Sequence, residues 1–240
     1  VAGLGVWWSK APQNGNFGDI LTPLILNHYG ITHSWVNVHQ ADAISTGSII
    51  KFAKKGMTVL GSGAMRQSDK LEPRATYLWV RGPLTREIVL RDGGECPELY
   101  GDPAMLLPRI FKKTGKPRHK VGYFLHYVDL DMADRFPFVI NPLDPIEKVL
   151  ADIWQCERIV SSSLHGIIAA HAYGIPAAWV KLSDKLSGDD TKFHDHAMAV
   201  GLAQMPLSTV DQPEFTSATY NNQLLHSELA LFATPRKATE

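Results

Sequence analysis

Short apolar runs alternate with amphipathic stretches along this chain, and that alternation narrows its architecture more than any other feature. A strand buried on both faces reads as a brief continuous apolar run. A helix packed over it places apolar residues every three or four positions. Repeated in turn, the two define βα units around a parallel sheet, an α/β fold. The runs predict strands over 3–9, 58–63, 76–81, 120–126, 138–141, 158–162 and 177–180. Helices are predicted over 20–29, 83–91, 145–155, 165–173 and 217–232, with Gly30, Gly93 and Gly174 beyond three of their ends. Residues 98–103 read as a strand and a turn. The basic, Gly- and Pro-containing stretch 112–120 reads as a solvated linker between two similar units. The predicted domains are therefore 1–115 and 116–240, the second closed by the last helix, with frayed residues at the very end.

With 45% hydrophobic and 20% charged residues, the chain has ample material for a core. Lysine plus arginine (24) equals aspartate plus glutamate (24), so no global field favours nucleic acid, and membrane association is expected to be peripheral at most. No run approaches the ~20 apolar residues of a membrane span. Residues 1–8 read as a buried strand rather than a signal peptide, and a soluble cytoplasmic protein is expected. Cys96 and Cys156 lack metal-ligand spacing and point to a reducing compartment or indifference to redox. His194 and His196 with Asp189, Asp190 and Asp195 are dense in ligand atoms, but no third ligand is suitably spaced, and no metal site is expected.

Ligands in parallel sheets bind at the carboxyl ends of strands, so the residues just after strands carry the functional reading. In Asn14–Asp19, glycines permit a tight turn, and Asp19 either caps the following helix or presents a carboxylate. Gly61, Ser62 and Gly63 follow a strand and allow close approach of a ligand or of another backbone. Arg81 ends a buried-looking strand, where a guanidinium needs an anion. That anion is either a structural carboxylate from the other half or a ligand phosphate or carboxylate. His165 falls where a strand gives way to a helix, beside Ser161–Ser163, as acid, base or phosphate partner. His171, six residues on, reads as packing or a structural hydrogen bond.

In order, these segments are Asn-Phe-Gly-Asp (16–19), Gly-Ser-Gly (61–63), Arg-Gly-Pro-Leu-Thr (81–85), Gly-Asp-Pro-Ala (101–104), Ser-Ser-Ser-Leu-His-Gly (161–166) and Tyr-Gly-Ile-Pro (173–176). Together with Lys192–Asp195 ahead of a short helix, this series resembles the polysaccharide pyruvyl transferase family, over about residues 14–201. The resemblance implies two Rossmann-like domains with parallel sheets facing a cleft, similar to GT-B glycosyltransferases. It implies phosphoenolpyruvate as donor, no cofactor, and a sugar hydroxyl pair on an oligosaccharide or lipid-linked saccharide as acceptor. Many relatives carry arginine two places before the histidine, where this chain has Ser163, as the succinoglycan-type exopolysaccharide branch tolerates. Lys192 or Arg86 then becomes the substitute cation.

On that reading Arg81, Ser162, Ser163 and Gly166 hold the donor, and His165 is the phosphate partner or the acid. Asp19, or second Asp102, serves the acceptor hydroxyl, with Asn16, Gly18 and Gly61–Gly63 lining the cleft; standing before Pro103, Asp102 fits a turn-forming role at least as well. Two other functions compete. A nucleotide-sugar glycosyltransferase would need a grip on ribose and base, for which Glu147, Glu157 and Trp179 are available. A non-catalytic carbohydrate-binding protein would stack sugar on Trp7, Trp8, Trp79 or Trp179.

Overall fold

The computed structural model describes residues 3–12 and 15–234. The readings of Val1 and Ala2 as strand, of Asn14 in the post-strand turn, and of the frayed end fall outside them. In chain order the elements of the first half are β1 (Leu4–Trp7), α1 (Leu21–His28), β2 (His33–Trp35), β3 (Ala43–Ile44), β4 (Thr58–Leu60), β5 (Thr76–Trp79), α2 (Pro83–Arg91) and α3 (Leu107–Ile110). The second half runs β6 (His119–Phe124), β7 (Val139–Ile140), α4 (Ile146–Trp154), β8 (Cys156–Ser161), α5 (Leu164–Ala172), β9 (Ala177–Val180), α6 (Thr191–Ala199), β10 (Leu207–Ser208) and α7 (Gln223–Ala233).

Two five-stranded parallel sheets result, each flanked by helices, a Rossmann-like α/β architecture. Their orders are β2-β1-β3-β4-β5 and β7-β6-β8-β9-β10, so the second sheet repeats the topology of the first. In each, the opening strand lies between the second and third strands, and the order reverses at that point. Such a reversal opens a crevice at the carboxyl ends of the two strands beside it. Here those are β1 with β3 and β6 with β8, registered Val6–Ala43 and Phe124–Ser161.

One hydrophobic cluster runs through both halves. Phe17, in the turn before α1, meets Phe124 at the end of β6 edge to face, ring centroids 5.8 Å apart, and both are buried. The helical turn Pro103–Leu106 packs against α5. The pattern assigns α7 to the second half, but its contacts run to the first. His226 meets the Tyr29 hydroxyl at 2.8 Å, Arg109 reaches Asn222 at 3.0 Å and Gln223 at 2.8 Å, and Asn222 donates to the Met105 carbonyl at 2.9 Å. Leu225 and Leu229 are the buried anchors of this helix, while Leu224 is 65% exposed.

The periodicity misses β2, β3, β10, α3 and α6, and the strand it predicts over 98–103 shrinks to one pairing of Tyr100 with Val80. Residues 192–195, read as lying ahead of a helix, are inside α6. His194 Nδ1 accepts from the Met205 amide, and His196 stacks on His171. Among the described residues no helix is long and apolar enough to cross a membrane.

Candidate active site

The two crevices open into one cavity of about 450 Å³, to which both halves contribute. From the first half come Trp7 at the end of β1 and Ser9 just after it, Asn16 and Asp19 before α1, and Ser48 after β3. His126 after β6, Ser163 and His165 after β8, and Lys192 on α6 come from the second.

His165 is the second residue of α5. Its ring lies flat against Gly18, where a β-carbon would stand 2.1 Å from Nδ1; only glycine leaves room for it. On the other side, Nε2 lies 3.6 Å from Oδ2 of the buried Asp102, and neither atom has another partner among the described residues. Asp102 Oδ1 is used by the Ala104 amide at 2.9 Å. Asp102 thus stands behind the histidine, away from the cavity, where its carboxylate faces Nε2 and orients the ring. The expectation that Asp102 serves the acceptor is corrected by this burial. Ser163 begins α5 without a side-chain cap, so the first-turn amides, which have no partner within the helix, stay free for an anion beside the cavity.

Asp19 makes no capping bond to α1. Its Oδ2 accepts from Asn16 Nδ2 at 2.7 Å, and Asn16 Oδ1 accepts from the Gly18 amide at 3.1 Å, which pins the turn. Burial raises the Asp19 carboxyl to about 6, only partly offset by His165 and by hydrogen bonds from Ser9 and Asn16. Lys192 is 6% exposed and forms no ion pair among the described residues; its Nζ donates to the Ser187 carbonyl at 3.3 Å. Burial and then the nearby Arg81 charge bring its ammonium down to about 8. A desolvated, unpaired ammonium in a cavity is stabilised by any anion that enters.

Arg81 is placed differently from the donor-binding expectation. Its guanidinium is fully buried and held by Asp195 of α6, with Nε and Nη2 each 3.0 Å from Oδ2. Nη2 also donates to the Ala64 carbonyl, and Nη1 to Ser48 Oγ at 2.8 Å. Asp195 further accepts from the Thr85 amide and hydroxyl. The anion that Arg81 needs is a carboxylate from the other half. Gly61, Ser62 and Gly63, expected in the cleft, serve this core instead. A β-carbon on Gly63 would stand 2.2 Å from the Arg81 guanidinium carbon, Gly61 has φ +82° against Trp79 and Pro103, and buried Ser62 donates to the Gly47 carbonyl.

Arg86 likewise leaves the donor site, bonding the Cys96 carbonyl and Glu98. Ser162 is buried between the His126 amide and Asp129, and Gly166 makes room for Phe124. His171 is structural as expected, with Nδ1 3.1 Å from His196 Nε2 and Nε2 near the Thr216 carbonyl. Burial holds His171 neutral, down to about 4, and His196 well below its ordinary value.

The residue reading misses His126, Arg66 and Lys51 on the cavity wall. His126 follows β6 directly, and the rule applied to the other post-strand residues would have found it. Burial, then Lys192, brings its imidazole down to about 4, and its Nδ1 accepts from the Val128 amide. Arg66, in a loop, and Lys51, in the short helical turn Ile50–Phe52, are exposed cations that carry no local signal.

A paired α/β fold with a basic, histidine-bearing cavity between its sheets defines a Rossmann-like protein built to take a ligand at the strand ends. The chain belongs to the polysaccharide pyruvyl transferase family, whose profile matches residues 6–184, and this places it among transferases that act on sugars. It is 30% identical over 203 residues to the uncharacterized protein L143 of Acanthamoeba polyphaga mimivirus, covering 78% of this chain and 68% of that one. It is 27% identical over 215 residues to the succinoglycan biosynthesis protein ExoV of Rhizobium meliloti (strain 1021), covering 83% and 66%. The chain thus spans about two thirds of the length of these relatives. No solved structure matches it.

Proposed function

We propose that this protein transfers the pyruvyl group of phosphoenolpyruvate to two hydroxyls of one sugar, forming a cyclic ketal. The observation that carries this reading is the unpaired, buried Lys192 in the same cavity as the amino end of α5 and the His165–Asp102 pair. That set suits a small donor bearing both phosphate and carboxylate. Similarity to a succinoglycan biosynthesis protein supports an acceptor that is an exopolysaccharide repeat unit or its lipid-linked precursor, and is the support for assigning the chain to that branch. The duplicated sheet order around one cleft supports a GT-B-like arrangement.

In this scheme a proton is added to C3 of the enol, and C2 becomes cation-like. One sugar hydroxyl adds to C2 and loses its proton. The C2–O bond to phosphate then breaks, inorganic phosphate leaves with the bonding electrons, and the second hydroxyl closes the ring with loss of its proton. Lys192 and the α5 amides hold the donor's anionic groups. His165, oriented by Asp102, faces them as acid or phosphate partner, and Asp19 accepts the hydroxyl proton. The reading is tested by thermal shift. Phosphoenolpyruvate is expected to raise the melting temperature of the wild type but not of Lys192→Met. Stabilisation by a UDP-sugar and not by phosphoenolpyruvate would replace this reading with nucleotide-sugar transfer.

A pH dependence follows with its sign. Lys192, brought down to about 8, must be charged to hold the donor. Affinity is therefore level below that pH and falls about ten-fold per unit above it, until the pKa of the complex is reached. Asp19, raised to about 6, must be ionised to act as base, so turnover falls below that pH. The alkaline limb is read in kcat/KM for phosphoenolpyruvate. The acid limb is read in kcat/KM for the acceptor at saturating donor, because a phosphate itself titrates near about 6. Lys192→Met is expected to leave donor affinity weak and level from pH 7 to 9.

A further inference from the structure

The wall of the cavity contributed by the first half has a different chemistry from the wall just described. Trp7, at the end of β1, packs edge to face with Phe52, ring centroids 5.0 Å apart. Both line the cavity, with Ile49 and Met65 beside them. Phe52 is 40% exposed in spite of its size, and the Lys51 ammonium lies over one face of its ring at 5.2 Å, which shows the attraction of that π system for positively polarised partners. An aromatic face repels phosphate and carboxylate and attracts C–H groups, which carry a slight positive charge. The donor's anions therefore go to Lys192 and α5, leaving this ledge to another occupant. A volume of about 450 Å³ also exceeds the need of a three-carbon phosphate.

Building on the pyruvyl transfer reading, we propose that Trp7 and Phe52 form the acceptor subsite, a platform on which the C–H face of a pyranose ring stacks. A pyranose presents such a face with hydroxyls around its edge. Asp19 and Asn16, which line the same cavity from the same half, are the polar groups available to that edge. The ledge takes the place of Gly61–Gly63, whose burial removes them from acceptor binding. It recognises ring shape and leaves the choice of hydroxyl pair to Asp19 and Asn16.

The test is saturation-transfer NMR on the intact protein with methyl β-glucopyranoside, methyl β-galactopyranoside and methyl α-mannopyranoside, phosphoenolpyruvate being present and observed in the same tube. At least one pyranoside is expected to receive saturation, strongest on the protons of one ring face. Phe52→Ala, a change at a half-open site, should lower that transfer to about a tenth or less, and Phe52→Trp should restore it. The phosphoenolpyruvate signal should persist through both variants. Equal sugar signals in the wild type and Phe52→Ala, or no signal from any pyranoside, would overturn the platform. Sugar signals that follow Phe52 while phosphoenolpyruvate gives none would retain the platform and remove pyruvyl transfer.

Discussion

His165→Ala should lower pyruvyl transfer by about 10²–10⁴-fold, the span of a lost acid–base group, while the melting temperature changes little. The ring borders an open cavity and packs on a backbone glycine, so alanine leaves a gap that water can enter instead of a void in the core. The two roles open to His165 separate in the kinetics. Loss of a phosphate partner raises KM for phosphoenolpyruvate, whereas loss of an acid lowers kcat with KM nearly unchanged. Asp102→Asn should reproduce part of either effect, because the residue acts only through the ring it orients. A His165→Ala variant that keeps more than a tenth of wild-type turnover would remove the histidine from the chemistry.

Arg81→Ala should unfold the protein or come close to it. Removing one partner of a buried ion pair leaves the other charge without compensation, at a cost of about 3–5 kcal/mol. That is a large part of the roughly 5–15 kcal/mol that holds a domain together. Here the abandoned Asp195 would be fully buried between Thr85 and an empty guanidinium site, and the ion pair that ties the end of β5 to α6 would be lost. Asp195→Ala should do comparable damage, because it strands a guanidinium with 0% exposure. The double variant Arg81→Met with Asp195→Leu should lose less stability in urea than the sum of the single changes, the signature of a coupled pair. If Arg81→Ala melted like the wild type and lost only phosphoenolpyruvate binding, the arginine would be a donor ligand after all.

These two residues show how far the sequence could be read. Both attracted notice by the same local rule, a chemically capable side chain at the end of a strand. For His165 the rule sufficed. The strand-to-helix junction that makes it conspicuous also supplies the free amides and turns the ring into the cavity. For Arg81 it established only that an anion must be near, since the partner lies 114 residues away and nothing in the intervening chain marks it. Asp19 was left between cap and carboxylate, and the choice rested on the geometry of a turn that Asn16 closes. β3 escaped notice although it is central in its sheet. Two residues, Ala43 and Ile44, are too few to display a period, and only their neighbours β1 and β4 make them a strand.

The sequence by itself determined the alternation of strand and helix, the parallel character of the sheets and the histidine at the carboxyl end of the second one. Each follows from forces acting within about twenty residues: burial on both strand faces, helical period, and the free amides of a helix start. Tertiary structure alone decided which cation meets the ligand. Arg81, Arg86 and Lys192 looked equivalent along the chain. Folding gave carboxylates to the first two and left the third buried in the cavity with none paired to it among the described residues. That outcome depends on where Asp195 and Glu98 come to lie, a matter of distance in space, over which electrostatic pairing acts without regard to order in the chain.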